Sequence, residues 1–515
     1  MTESHVSFCR ICPNFCPVQV ETEGNRVVSL TGLPDNPLFR GYTCIKGRNH
    51  PPLYDHPDRL LHSLKRSPDG TFVSIPTEDA ISEISERLLQ ILDRHGPRAI
   101  AAFSGTYYAL DTPINLTMLD AFQTALGSPM TFGPGSIDQP GKALAPGLHG
   151  AWMAPNQGNA DPNAVILIGN NPLVSLQGAK GHPGNFFRDL SRRGAKLIVI
   201  DPRRTETAKR ADIHLQSRPG EDAAILAAMI RLIIDEDLHD AEFLAENVNG
   251  FDQLRAAVEP FTPSYVAARA DIPEDDLIRA GRIFGRAGRG FVAAGTGANM
   301  SAKGTLNEYL VLCLNTVCGY WMRAGEEIRN PVTLVSPTTQ KAKAQAAPPF
   351  PAFGYGEKAR VRGLTQTVWG MPSTTLAEEI LLPGAGQVRA LVSLGANPAS
   401  CIPDQLSVVE AFRSLELMVQ MDVHLSATAK LAHYVIAPKI GFEQPATTMQ
   451  QSMHRMPAPW AQYAPAIVDP PEGSDVIEQW KLLLRLAQRM GLKLKVFPGL
   501  GPIVAGEEAT ELDMD

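Results

Sequence analysis

Five apolar runs with one shared grammar constrain this chain more than any other feature. Residues 99–103, 165–168, 196–200, 290–294 and 389–394 are apolar almost throughout. Each ends in a turn rich in Gly, Asn, Asp, Ser or Pro. A strand without polar alternation is buried on both faces, so helices must cover it on each side. The pattern therefore predicts an α/β protein with doubly wound parallel sheets. The 515 residues allow about three domains.

Between these runs the spacing predicts helices. Thr77 reads as an N-cap for apolar positions Ile81, Ile84, Leu88 and Leu92, with Gly96 as the stop. An apolar helix opens at Ala223 after Pro219-Gly220-Glu221-Asp222. A final helix is expected from Ser474 or Asp475 to Gly491, with Trp480, Leu483, Leu484 and Ala487 on its apolar side. Residues 335–372, rich in Pro, Ala, Lys and Gly, read as a long loop. Residues 501–515 read as an acidic tail. There is no tandem repeat of short period, but the strand-end loops at Gly169 and Gly395 suggest two related half-sites.

The chemistry begins in the first tenth of the chain. Four of the seven cysteines, Cys9, Cys12, Cys16 and Cys44, are spaced C-x2-C-x3-C-x27-C. The first three lie within reach of one point, and Pro13 and Pro17 stiffen their loop. Four thiolates suit a cubane iron–sulfur cluster or a structural zinc. Zinc usually shows two C-x2-C knuckles, and the second is missing here. Reduced, ligand-free cysteine is the bland alternative. Cys313, Cys318 and Cys401 are scattered, so no disulfide framework is implied.

The strand-end loops could let a backbone approach a phosphate closely. Asp201 could accept from a ribose or purine donor, and Pro219-Gly220 opens a helix whose free N–H groups suit an anion. Ordinary αβ turns need the same residues, so one loop alone says little. Loops at 169, 201, 219, 295 and 395, downstream of a cysteine motif, point together to a large phosphate-bearing cofactor. A net charge of −7 and pI of about 6.0 argue against nucleic acid as a partner. The most apolar helical stretch, 223–234, is short and carries Arg231, so no membrane span is expected. The first residues show no apolar leader and no twin arginine, which points to the cytoplasm.

These residues together resemble the molybdopterin oxidoreductase family of the dimethyl sulfoxide reductase type. The resemblance rests on the four cysteines with Lys46, on Gly169-Asn-Asn-Pro172, Asp201-Pro-Arg-Arg-Thr205, Arg218-Pro-Gly-Glu-Asp222 and Gly395-Ala-Asn-Pro398. Asn315-Thr-Val-Cys-Gly319 with Arg323-Ala-Gly325 looks like the family's Gly-rich loop near a second pterin. The resemblance covers almost the whole chain. It implies an N-terminal iron–sulfur segment (1–65), a discontinuous α/β domain (66–160 and 330–500) and an α/β dinucleotide-binding domain (161–329).

The resemblance further implies a [4Fe–4S] cluster on Cys9, Cys12, Cys16 and Cys44, with molybdenum or tungsten held by two pyranopterin guanine dinucleotides. Lys46 would stand between cluster and pterin. Asn170, Asn171, Asp201, Arg204, Pro219, Gly220 and Asp222 would serve one dinucleotide. Gly297, Asn299, Gly395 and Asn397 would lie near the other. The loop expected to supply the metal's protein ligand, residues 132–142, has no cysteine, leaving Ser136 and Asp138 as candidates. The implied activity is oxygen-atom or hydride-equivalent transfer to or from a small substrate, with electrons leaving singly for a partner protein. The family's further β-rich domain is expected to be absent after the last helix, and Gly441-Phe442-Glu443-Gln444-Pro445 keeps only part of the usual pattern. A non-catalytic iron–sulfur scaffold, or the large chain of a split enzyme whose C-terminal domain is a separate subunit, are the alternatives.

Overall fold

The computed structural model describes residues 1–152, 161–176, 181–323, 325–326, 344–345, 353–448, 460–496 and 509–513. Most of the expected 501–515 tail, and 335–343 and 346–352 of the expected loop, lie outside the described residues.

Two parallel sheets form the body. In the first, the strand order is Ile213–Leu215, Lys196–Ile200, Ala164–Ile168, Gly290–Ala294, all parallel. Ala164–Ile168 is buried at every position, as its unbroken apolar sequence demands. The helix Asp222–Asp235 is buried around nearly its whole circumference. It packs against the helices Glu274–Gly285 and Gly304–Val317, which also touch the sheet, in one shared core.

The second sheet has seven strands. Tyr434–Ile436, Leu417–Met421, Ala390–Leu394, Ile100–Ser104 and Thr131–Phe132 run parallel in that order. Leu64–Arg66 and Phe72–Ser74 extend one edge antiparallel. Strands from residues 64–132 and 390–436 thus share one sheet. Helix Thr77–His95 covers one face and stops at Gly96, whose φ of +76° suits glycine.

The first 32 residues make a three-stranded antiparallel sheet, Thr2–Phe8, Pro17–Glu23 and Arg26–Gly32. The buried, bidentate Arg59–Glu443 pair, both contacts 2.7 Å, fastens the following segment to residues 440–444.

Three expectations change. Thr77 is the first helical residue and Pro76 stands at the N-cap, because the Thr77 amide and hydroxyl are both spent on Asp475. The last helix runs Gln479–Arg489, not from Ser474 or Asp475. Asp475 instead accepts the Thr77 amide (2.6 Å) and its backbone carbonyl accepts the Thr77 hydroxyl (2.7 Å). Its carboxylate caps the other helix. Within 335–372, Phe353–Lys358 pairs antiparallel with Thr365–Thr367. The Phe, Tyr and Thr there favour strand despite the surrounding Gly and Pro.

Candidate cofactor site

Cys9 follows the first strand and Cys16 precedes the second, so both sit in one hairpin connection. The Cys9 amide donates to the Cys16 carbonyl (2.8 Å) and the Phe15 amide to the Cys12 carbonyl (3.2 Å). Phe15 has φ of +43°, which turns the chain sharply ahead of Cys16. Cys44 heads the turn Ile45–Arg48 with no side-chain capping bond, leaving its thiol unspent. Gly47 fits beneath Cys9: a Cβ there would lie 3.4 Å from its sulfur and 2.5 Å from Thr43 Oγ1.

The four thiols feel one another. Burial pushes the Cys9 thiol up to about 12, and Cys12 and Cys44 raise it further while Lys46 opposes them. Burial likewise raises Cys12, with Lys46 lowering it and Cys44 raising it. Cys16 is raised well above the usual thiol range by burial and then by Cys9 and Cys12, with a smaller push from Cys44. Thiols so placed ionise when metal supplies the positive charge. Four thiols that influence one another, without zinc's usual second C-x2-C knuckle, fit a polynuclear cluster better than tetrahedral zinc. Lys46 is exposed in the turn after Cys44.

Asn14 joins this hairpin to the first parallel sheet's domain. Its Nδ2 lies 3.3 Å from Cys16 Sγ and 3.3 Å from the Gly181 carbonyl. At the carboxyl end of that sheet the loops interlock. The Gly169 amide donates to Ile200, Asp201 to Leu215, Gly295 to Ile168, and Gly297 to Gly169. Asn170 and Asp201 are buried, while Arg204, Pro219 and Gly220 are exposed. Asp201 accepts the Arg203 amide (2.8 Å). Burial raises the Asp222 carboxyl, and Asp201 adds to that. Asn299 is turned inward, its Nδ2 donating to Gly295 and Glu308. Gly297 and Asn299 therefore belong with Gly169, at the first sheet, because their strand inserts beside Ala164–Ile168. Gly395 and Asn397 lie at the end of the second sheet.

The two sheet ends carry one turn twice. Asn171 Oδ1 accepts the Thr207 amide (3.2 Å) and hydroxyl (2.7 Å). Asn397 Oδ1 accepts the Thr428 amide (3.1 Å) and hydroxyl (2.7 Å). Gly169 and Gly395 have φ of +52° and +55°. Each threonine stands six residues after a strand-end aspartate, Asp201 or Asp422. The threonines escaped the sequence reading, although Thr207-Ala-Lys-Arg-Ala211 and Thr428-Ala-Lys-Leu-Ala432 are a legible repeat.

The 132–142 loop separates its two candidates. The Ser136 hydroxyl accepts the Ser373 amide (2.9 Å), donates to Gly133 (3.1 Å) and lies 3.0 Å from the Ser373 hydroxyl. Gly135 lies flat against Trp369, where a Cβ would meet the ring at 2.8 Å. The Asp138 carboxylate is held by side chains: Thr296 donates to Oδ1 (2.7 Å) and Gln139 to Oδ2 (3.2 Å). An open basic hollow of about 640 Å³ beside Lys196, Arg279, Arg282 and Arg286 lies at the opposite, amino end of the first sheet. Its cations are already paired with Asp212, Asp276 and Glu236.

A cysteine hairpin docked against parallel sheets with nucleotide-type turns defines a redox protein that seats a dinucleotide cofactor beside an iron–sulfur centre. The chain belongs to the molybdopterin oxidoreductase family. Its residues 52–489 match the family model, and residues 2–55 match that of the molybdopterin oxidoreductase Fe4S4 domain. The family brings a [4Fe–4S] cluster and a molybdenum or tungsten pterin. The thiosulfate reductase molybdopterin-containing subunit PhsA of Salmonella typhimurium is 28% identical, over 84% of this chain and 57% of that protein. F420-dependent formate dehydrogenase 1 subunit alpha of Methanococcus maripaludis is 25% identical, over 94% and 70%. Acetylene hydratase from Pelobacter acetylenicus shares the fold with a TM-score of 0.79, at 24% identity over 95% and 69% of the two chains. No described helix is long and apolar enough to cross a membrane.

Proposed function

We propose that this chain is a molybdenum- or tungsten-dependent oxidoreductase acting on a small substrate by oxygen-atom or hydride-equivalent transfer. The molybdenum or tungsten bis-pyranopterin guanine dinucleotide would supply the two-electron chemistry when bound. Cys9, Cys12, Cys16 and Cys44 hold the cluster, and Lys46 places a cation beside it that favours added negative charge. Asn170, Asn171, Asp201, Arg204, Pro219, Gly220 and Asp222, with Gly297, line one dinucleotide. Gly395 and Asn397 line the other. Asn299 supports the Gly295–Gly297 turn from behind.

Of the two ligand candidates, Asp138 is the one we assign. The Ser136 hydroxyl is drawn into the clamp, donating to Gly133 and accepting the Ser373 amide. A carboxylate anchored by Thr296 and Gln139 keeps lone pairs to spare.

The observation that carries the reading is Asn14, whose amide spans Cys16 and Gly181 and so fixes the cysteine hairpin against the domain bearing Gly169. Both sequence relatives named above are called subunits. We accordingly assign this chain an electron-transfer partner protein. Its seven thiols are free among themselves, in keeping with a reducing, cytoplasmic setting.

Metal analysis of anaerobically purified protein tests this. About four iron atoms per chain together with molybdenum or tungsten and pterin is the expected result. Iron without either metal would leave an electron-transfer subunit and overturn the enzyme reading. Cys12→Ser and Cys44→Ser should each bleach the broad visible absorbance. Unchanged spectra in both would remove them as ligands.

A further inference from the structure

Polar side chains lie sealed from solvent beneath the cysteine hairpin. Arg10, next to Cys9, is fully buried. Its Nη1 donates to the carbonyls of Gly441 (2.6 Å) and Gln444 (2.8 Å). Its guanidinium rests over Phe8 and Phe442, 5.3 and 5.9 Å from the ring centres. Its Nε and Nη2 have no acceptor among the protein atoms. Asp111 ends the helix Thr106–Asp111 and is 1% exposed. Its Oδ2 accepts from Gln444 and from Gln479 (2.8 Å). Its Oδ1 faces Arg10 Nη1 at 4.0 Å with no hydrogen bond, and Gln444 Oε1 is likewise unpartnered.

Buried polar atoms are destabilising without a partner. Asp111 Oδ1 and Gln444 Oε1 both lack one here.

Resting on the cluster reading above, we propose that Asp111 is a redox-linked proton acceptor. When a one-electron donor reduces the cysteine-held cluster, Asp111 takes one proton from solvent. An O–H bond forms on its carboxylate, and the added internal charge is cancelled. Oxidation returns the electron to an acceptor and the proton to solvent.

The surrounding groups leave this role to Asp111. Burial raises its carboxyl to about 6, against the pull of Arg10 and Gln444 and with a push from Glu443. Burial pushes Tyr54 and Tyr107 far up, so both stay neutral. Burial and Arg10 hold His50 down near 4, so it too is neutral. Glu443 is held bidentately by Arg59. Nearby negative charge raises a carboxyl further, so reduction draws the proton on. Tyr107, on the same helix as Asp111, accepts the Gly441 amide at its hydroxyl (3.2 Å).

The test is potentiometric titration of the purified, cluster-bearing protein by EPR and visible absorbance between about pH 5.5 and 8.5. In the wild type, the reduced-to-oxidised ratio at fixed potential should fall by up to about tenfold per pH unit, or ~59 mV for one electron. Asp111→Asn should flatten that dependence, and Asp111→Glu should keep it. Reduced-minus-oxidised infrared spectra of the wild type should show a protonated carboxyl band that Asp111→Asn lacks. An unchanged slope in Asp111→Asn would overturn the proposal. So would the absence of the band in the wild type, which requires no variant to fold. A chain without iron would overturn the cluster reading and this one with it. An intact cluster reduced without proton uptake would overturn this one alone.

Discussion

The hydroxyl of Ser136 lies 3.0 Å from that of Ser373, and the Ser373 hydroxyl in turn donates to Gly133 (2.7 Å). The two serines therefore clamp the loop that leads to Asp138. Ser136→Ala strands the Ser373 amide and should cost about 1–3 kcal/mol of stability. It should leave the metal's coordination spectrum alone. Asp138→Ala should change that spectrum at little cost in stability. The reverse pattern in electronic or EPR spectra would move the ligand to Ser136.

Phe15 combines a left-handed backbone with a buried ring, packed edge-on against Phe8 at 5.7 Å. Glycine would relieve about 1–2 kcal/mol of backbone strain. It would also forfeit the ~3–5 kcal/mol typical of deleting a buried phenylalanine. Phe15→Gly should therefore unfold at lower denaturant, weaker by about 1–4 kcal/mol. Its iron content should persist, because glycine adopts the same turn readily. A variant as stable as wild type would show that the ring contributes no more than the strain it offsets.

Asp475 lies far from Thr77 in sequence yet accepts its amide at the start of the helix Thr77–His95. Asp475→Ala should cost about 1 kcal/mol in urea unfolding, and Asp475→Asn should recover most of it. Equal losses in both would assign the effect to charge near the helix end.

His433 holds the strand Leu417–Met421 by accepting the Met418 amide at Nδ1 (2.9 Å). Burial, with help from Arg87 and Arg66, lowers it to about 4. Below about pH 6.5 the unfolded imidazole binds a proton that the folded one refuses. Stability should thus decline as pH falls from about 6.5 toward 4, and hold above that range. His433→Asn should reduce this decline in urea titrations at several pH values. An unchanged profile would place the acid sensitivity elsewhere.

Much of the architecture was readable in residue order. Strands buried on both faces announce themselves by unbroken apolar runs, and Cys9, Cys12, Cys16 and Cys44 by their spacing. Strand order was not readable. The strand Gly290–Ala294 inserts beside Ala164–Ile168, and this alone brings Gly297 against Gly169. Asp475 shows the same limit at the scale of one side chain: a capping residue is recognisable, but the helix it caps is decided by tertiary packing. The Arg10–Asp111 contact was hidden because neither residue has a local partner that would mark it. The Ser136–Ser373 clamp depends on a return of the chain over more than two hundred residues.

The twin asparagine turns at Asn171 and Asn397 have a consequence for stoichiometry. Two turns built on one hydrogen-bond recipe should each accept the same chemical moiety. Occupancy by a competing nucleotide should therefore reach two per chain in a single transition, and damage to either turn should leave a half-filled protein.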